Sequence, residues 1–227
     1  MNPRWREFDL SLLSYQQFLD FFFDRLVVGD ENEYDLFRSG IDSFVASNPA
    51  TVVGCIQAMC QNLVELTKVY SHEQLDQGLR AVFGAGISCE QYLFDPTVDG
   101  TLRIDCIESM YLPFRDVVAR HPADVAKSFY WMWWDMILHT FWQTAGRDDY
   151  SALNDDQKQL GETMYQTLSR ILALNHRGCQ WSALHGLGHL HHPLVRETVQ
   201  NYLDVYRREL SDEDLHWVEA CRDGSIM

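Results

Sequence analysis

Residues 178–208 read GCQWSALHGLGHLHHPLVRETVQNYLDVYRR, and this stretch decides the fold. Apolar residues recur at helical spacing on both sides of a short break. Pro193 stands where a second helix would begin, and proline is favoured in the first turn of a helix because its missing N–H costs no hydrogen bond there. The stretch therefore predicts two helices joined by a very short turn.

The same helical spacing continues over most of the chain. Residues that cap helix N-termini precede the apolar runs, and several are followed three residues later by the glutamine or acid of a capping box; they are Ser14, Asn48, Ser71, Asn154 and Ser211. Helices are predicted over residues 14–29, 36–45, 49–70, 71–83, 104–118 with a bend or break at Pro113, 123–144, 154–176 and 211–221. No sustained alternation of polar and apolar residues is present, so the predicted fold class is all-α.

The opening stretch resembles the HEAT-repeat pattern, in which a small residue and a leucine precede Leu-Gly, a short turn with proline follows, and a second apolar helix returns. The residues that carry the resemblance are Ala183, Leu184, Leu187, Gly188, Leu190, Pro193, Val195, Val199 and Leu203. The pattern departs at His192, where HEAT repeats often have Asp, and at Trp181. The resemblance implies a right-handed, HEAT-like or armadillo-like array of antiparallel helical hairpins; an irregular helical bundle is the alternative.

Length and charge narrow the possible functions. A chain of 227 residues fits a single all-helical domain over residues 1–227, with two halves meeting near residues 145–156 as the alternative. Asp and Glu number 33 against 18 Lys and Arg, a formal net charge of -15. Such a surface repels nucleic acid and anionic membranes and attracts a basic protein.

Two further features point to a reducing, cytoplasmic setting. The six cysteines are scattered without a Cys-x-x-Cys pair, which predicts reduced, buried thiols. The first residues lack an apolar segment with a cleavage site, so no secretion is expected.

Four of the nine histidines lie in the opening stretch. On a helix, His185 and His189 are one turn apart, the spacing of a zinc-binding pair, and His191 or His192 is a candidate third donor. However, the stretch reads HGLGH and has no carboxylate between the two histidines to act as a base. We therefore expect no metal, no cofactor and histidines that serve as turn and surface residues; a metal-dependent enzyme that uses His185 and His189 is the alternative.

No other motif announces a reaction, since the sequence has neither Gly-x-Ser-x-Gly nor a phosphate-binding loop after a strand. The leading expectation is a non-enzymatic protein-binding scaffold. In its acidity, its size and its aromatic content, the chain is similar in general character to bacterial immunity proteins, which neutralise polymorphic toxins by direct binding. That resemblance implies a basic toxin domain as partner; a general HEAT-like adaptor is the further alternative.

The candidate partner-binding residues come from three places: acidic helix starts and loops, the side of the Trp-rich helix that faces away from its apolar stripe, and the exposed face of the second helix of the hairpin. They are Asp30, Glu31, Glu33, Asp35, Trp133, Asp135, Asp148, Asp149, Arg196, Gln200 and Asp204. The competing interpretation is that the acids only cap helices and keep the protein soluble.

Overall fold

The computed structural model describes residues 6–28, 37–38, 40–84, 87–120, 129–146 and 149–226. Within those residues the chain forms ten α-helices, two three-residue strands and several short 3-10 turns. The strands are β1 (Glu7–Asp9) and β2 (Ser43–Val45). The helices are α1 (Tyr15–Phe23), α2 (Pro49–Leu66), α3 (His72–Val82), α4 (Gly100–Ser109), α5 (Tyr111–Asp116), α6 (Trp133–Ala145), α7 (Asp155–Leu172), α8 (Arg177–Leu190), α9 (Val195–Tyr206) and α10 (Asp212–Asp223).

The predicted all-α class is confirmed, with one local exception. The helix expected over residues 36–45 is wrong at its end: residues 37–38 are helical, but Ser43–Val45 pairs in parallel with Glu7–Asp9. Phe8 and Phe44 are partners in that pairing, and their ring centroids are 6.1 Å apart. Apolar residues at helical spacing can also lie in a short strand, and here the pairing with β1 favours the strand.

Most of the predicted helix starts are confirmed. Complete capping boxes are present at Ser14, Ser71, Asn154 and Ser211. Pro49 does occupy the first turn of α2, but the Asn48 side chain makes no capping bond. The backbone N–H of Asn48 instead donates to the Ser11 hydroxyl at 3.1 Å.

The helix ends differ more from the predictions than the starts do. Helix α1 stops at Phe23, and Leu26, which we placed on its apolar stripe, is 83% exposed. The break expected at Pro113 lies between α4 and α5, just after Ser109. Pro113 has no N–H to donate to the Ser109 carbonyl, so the helical hydrogen bond between these two residues cannot form. The Trp-rich α-helix begins at Trp133, after a short 3-10 turn at Phe129–Trp131; residues 123–128 of the predicted helix lie outside the described part.

The chain divides into two compact units, Met1–Pro113 and Phe114–Met227, so the polar segment 145–156 lies inside the second unit. In the first unit, α1 packs on α3 and α2 packs on α4. Gly78 permits the first contact, because a Cβ there would be 2.8 Å from the Phe22 carbonyl oxygen. All six cysteines are buried and free, as predicted.

Helix α8 is the centre of the second unit, where it packs against α6, α7, α9 and α10. Both glycines of its HGLGH segment lie at close contacts. A Cβ on Gly186 would be 2.7 Å from Trp134 Cβ, and one on Gly188 would be 3.0 Å from Cys221 Cα. The glycines therefore let α6 and α10 approach α8 more closely than any larger side chain would.

The predicted hairpin of α8 and α9 is confirmed, and two histidines form its turn. His191 ends α8 in the left-handed conformation, at φ 52°. His192 is buried, contrary to the expected surface position. Its Nδ1 accepts the backbone N–H of Leu194 at 3.2 Å, its Nε2 lies 3.0 Å from Glu162 Oε2, and its ring stacks on Tyr165.

None of the helices in the part of the chain that the structure describes combines the length and the apolar character that crossing a membrane requires.

We expect Gly186→Ala to destabilise the protein by about 1 to 3 kcal/mol, since the added methyl group overpacks the contact between α6 and α8. Gly54 in α2 is the matched control, because a Cβ there would meet nothing within 4 Å. Gly54→Ala should be neutral or stabilising by about 0.5 to 1 kcal/mol. Urea denaturation of both variants measures the difference; equal effects would show that Gly186 is not a close contact.

The turn should be sensitive to acid. Burial lowers the pKa of His192 below the ordinary 6.5, although Glu162 opposes the shift. Because the folded pKa is below the unfolded one, the unfolded chain binds the proton more readily, and this contribution to stability is lost as pH falls below 6.5. The difference in unfolding free energy between wild type and His192→Gln should therefore shrink between about pH 7.5 and about pH 5. A difference independent of pH would contradict this expectation.

Candidate metal centre

Two histidines and one aspartate meet in the second unit. The imidazoles of His185 and His189 project from one face of α8, and the carboxylate of Asp135 comes from the first turn of α6. One ligand atom from each of the three residues lies within 4.8 Å of the other two. The pairing of the two histidines follows from their spacing of one helical turn, whereas Asp135 arrives through the packing of α6 on α8.

The Nε2 atoms of the two histidines, which are the candidate metal ligands, face each other. His185 Nδ1 lies 3.4 Å from the Trp131 carbonyl oxygen, which can only accept, so Nδ1 carries the proton and Nε2 keeps its lone pair. His189 Nε2 lies 3.3 Å from His185 Nε2 and 3.3 Å from Asp135 Oδ1. A backbone carbonyl that fixes the tautomer of an imidazole is the usual outer partner of a metal-binding histidine.

These separations fit a zinc-sized cation. Ligands about 2.0 to 2.1 Å from a tetrahedral zinc ion lie about 3.3 Å from one another. Two of the three ligand separations already have this value, both of them made by His189 Nε2. The third separation, between His185 and Asp135, is within 4.8 Å and would have to take the same value on binding.

Burial is the main influence on the protonation of the two histidines. It lowers the pKa of His185, against the opposing effects of the Trp131 carbonyl and of Asp135. It also lowers the pKa of His189, where Asp135 opposes it and the neighbouring imidazoles of His185, His191 and His139 add to it. Both imidazoles therefore stay neutral near pH 7, and the neutral form is the one that binds metal.

Aromatic rings support the site on one side. Trp131 stacks on the His185 imidazole at 4.9 Å and is tilted against Trp217 at 5.3 Å. Trp217 in turn contacts Trp181, one turn before His185 on α8. The three indoles are half-buried. They hold the His185 ring in place and leave an aromatic surface beside the site.

The third ligand is not one of the predicted histidines. The His191 ring packs against Trp142, and the His192 ring is engaged by Glu162. The sequence contains no local signal for Asp135 as a ligand, because it stands fifty residues before His185 and is distant from the HGLGH motif. It was expected only as an exposed partner-binding residue, and it is half-buried with 26% of its side chain exposed.

The structure describes five of the other predicted partner-binding residues, and those five do not form one site. Trp133 is fully buried, so its expected role at a surface is wrong: its ring packs between Phe114 and Tyr130. Asp149 caps a short 3-10 turn by accepting the Ser151 N–H at 2.9 Å. Five of the predicted acids lie outside the described residues, namely Asp30, Glu31, Glu33, Asp35 and Asp148.

The predicted face of α9 is exposed or half-exposed, and its polar groups are engaged with one another and with α10. Arg196 forms an ion pair with Asp223 at 3.1 Å. Gln200 donates to Asp204 at 2.8 Å and accepts from Arg222 at 2.9 Å. This face stays a prediction for partner binding, with its side chains already ordered.

No protein-family model, curated protein or solved structure matches the chain. The argument for function therefore rests on the chemistry of the residues that the structure brings together.

Proposed function

We propose that this protein binds a divalent transition-metal ion, zinc in the first place, through Asp135, His185 and His189. The observation that carries the proposal is the convergence of the three ligand atoms within 4.8 Å, from two different helices. Two neutral imidazoles and one carboxylate form a ligand set that suits zinc and its neighbours better than magnesium or calcium, which prefer oxygen alone.

The Asp135 carboxylate supports metal binding, because it adds a third ligand to the two histidines. We expected no metal because no carboxylate stands between His185 and His189 to act as a base, whereas Asp135 brings a carboxylate from another helix in the position of a third ligand. Three protein ligands leave a coordination position for water or substrate, which is the arrangement of catalytic zinc sites. A site with those three ligands alone would suit the alternative considered from the sequence, a metal-dependent enzyme that uses His185 and His189.

A second candidate function is the acidic protein-binding scaffold, such as an immunity protein that covers a basic toxin domain. It is supported by the net charge of -15 and by the half-buried indoles of Trp131, Trp181 and Trp217, which contact one another. Tryptophan is enriched among residues that dominate binding energy at protein interfaces. This second proposal includes a HEAT-like array of hairpins, because the sequence of the α8 and α9 hairpin resembles the HEAT-repeat pattern.

For the metal proposal, we expect untagged wild-type protein to take up one zinc ion, measured by calorimetry and by metal analysis after dialysis. Zinc at a hundred times its Kd should raise the free energy of unfolding by about 2.7 kcal/mol. Asp135→Asn, His185→Gln and His189→Gln should each weaken binding at least about tenfold, since each removes a ligand. His216→Gln is the control, because His216 is exposed on α10, where its Nδ1 lies 2.6 Å from the Asp212 carbonyl oxygen. Uptake that is the same in all four variants would refute the site.

The scaffold proposal is tested with a toxin-like protein encoded beside this chain. We expect a stoichiometric complex whose affinity falls as salt rises, because opposite charges attract less when they are screened. Trp217→Ala should weaken the complex by about 2 kcal/mol or more if the indoles lie at the centre of the interface. Absence of both a complex and protection from the toxin would remove this candidate.

A further inference from the structure

Helices α6 and α8 run in the same direction where they pack. Near the start of α6, Trp134 lies against Gly186 of α8. Two turns later, the Trp142 indole N–H donates to the His189 carbonyl at 2.8 Å. Residues of α6 that follow Asp135 therefore lie beside the end of α8 that carries His189.

His139 occupies the turn of α6 that follows Asp135, on the same face of the helix. That is the face which presents the Asp135 carboxylate to the two imidazoles of α8. Two pairs at a spacing of four residues therefore lie at the site, one on each helix: Asp135 with His139, and His185 with His189.

The His139 side chain is free to move without loss of packing, because it is exposed. Its Nε2 lies 2.7 Å from the Gln143 side-chain nitrogen, which can only donate, so the imidazole accepts there and has its lone pair on Nε2. This is the protonation state that a metal ligand needs. A hydrogen bond of this kind at a surface stabilises much less than a metal–imidazole bond does, because water replaces it readily.

The other imidazole near the cluster is less able to move. His191 ends α8 in the left-handed conformation at φ 52°, and its ring packs against Trp142. Its Nδ1 also lies 3.1 Å from the position that a Cβ on Gly224 would occupy, so the ring is enclosed between two elements. Turning it toward His189 would break these contacts.

We propose that His139 turns onto the bound metal as its fourth ligand, which makes a closed site of three imidazoles and one carboxylate that joins α6 to α8. This inference rests on the proposed metal binding by Asp135, His185 and His189. Closed four-ligand zinc sites are structural, whereas catalytic ones keep a position for water. The metal would then stabilise the packing of α6 on α8, and its uptake would be linked to the folding of the second unit.

Cobalt(II) titration of the full-length protein tests the coordination number, because tetrahedral cobalt absorbs visible light much more strongly than five- or six-coordinate cobalt. We expect an intense tetrahedral spectrum for wild type. His139→Gln and His139→Ala should shift or weaken that spectrum, because water replaces an imidazole, and should lower the affinity at least about tenfold with stoichiometry unchanged. Gln143→Ala is the matched control on the same face of α6: it removes the bond that competes for His139 and should leave the spectrum tetrahedral and the affinity equal or higher.

The outcomes separate the two proposals. Cobalt and zinc that bind wild type and both His139 variants with the same spectrum and affinity would overturn the fourth ligand and leave an open three-ligand site. Failure of wild type to bind either metal would overturn the metal function and this inference with it. Circular dichroism of the variants checks that the exposed substitutions leave the helices intact.

Discussion

The second unit depends on the close approach of α6 and α8 at Gly186. A methyl group on that residue would lie 2.7 Å from both Trp134 Cβ and Leu168 Cδ2, so the contact requires glycine. Because α8 also packs on α7, α9 and α10, its position is shared by most of the unit. The same approach brings Asp135 to the imidazoles of α8, so the packing constraint and the candidate metal centre have one cause.

The groups of the candidate metal centre are already paired with one another. A buried imidazole normally has its polar atoms paired with protein groups. His185 has one nitrogen on the Trp131 carbonyl and the other 3.3 Å from His189 Nε2, which also lies 3.3 Å from Asp135 Oδ1. The proposed cation would take the place of the contacts between these ligand atoms, while the Trp131 carbonyl would keep the His185 ring in its orientation.

Local rules predicted much of the fold and half of the site. Serine and asparagine caps at Ser14, Ser71, Asn154 and Ser211 were recognisable because a capping box needs only residues within one turn. The spacing of His185 and His189 likewise placed both imidazoles on one face. The predictions failed where a distant partner decided the result, as at β2, which pairs with a strand that ends thirty-four residues earlier.

The sequence by itself determined the helical class, most helix starts, the hairpin of α8 and α9 and the pairing of two histidines, because these follow from periodicity and from contacts within a turn. Only the tertiary structure decided that Trp133 is buried, that His192 locks a turn through Glu162, and that Asp135 stands beside His185 and His189. The physical reason is the same in each case. Each side chain meets a partner from another part of the chain, and only the packing of the elements sets that distance; for Asp135 it is the close approach of α6 and α8 at Gly186.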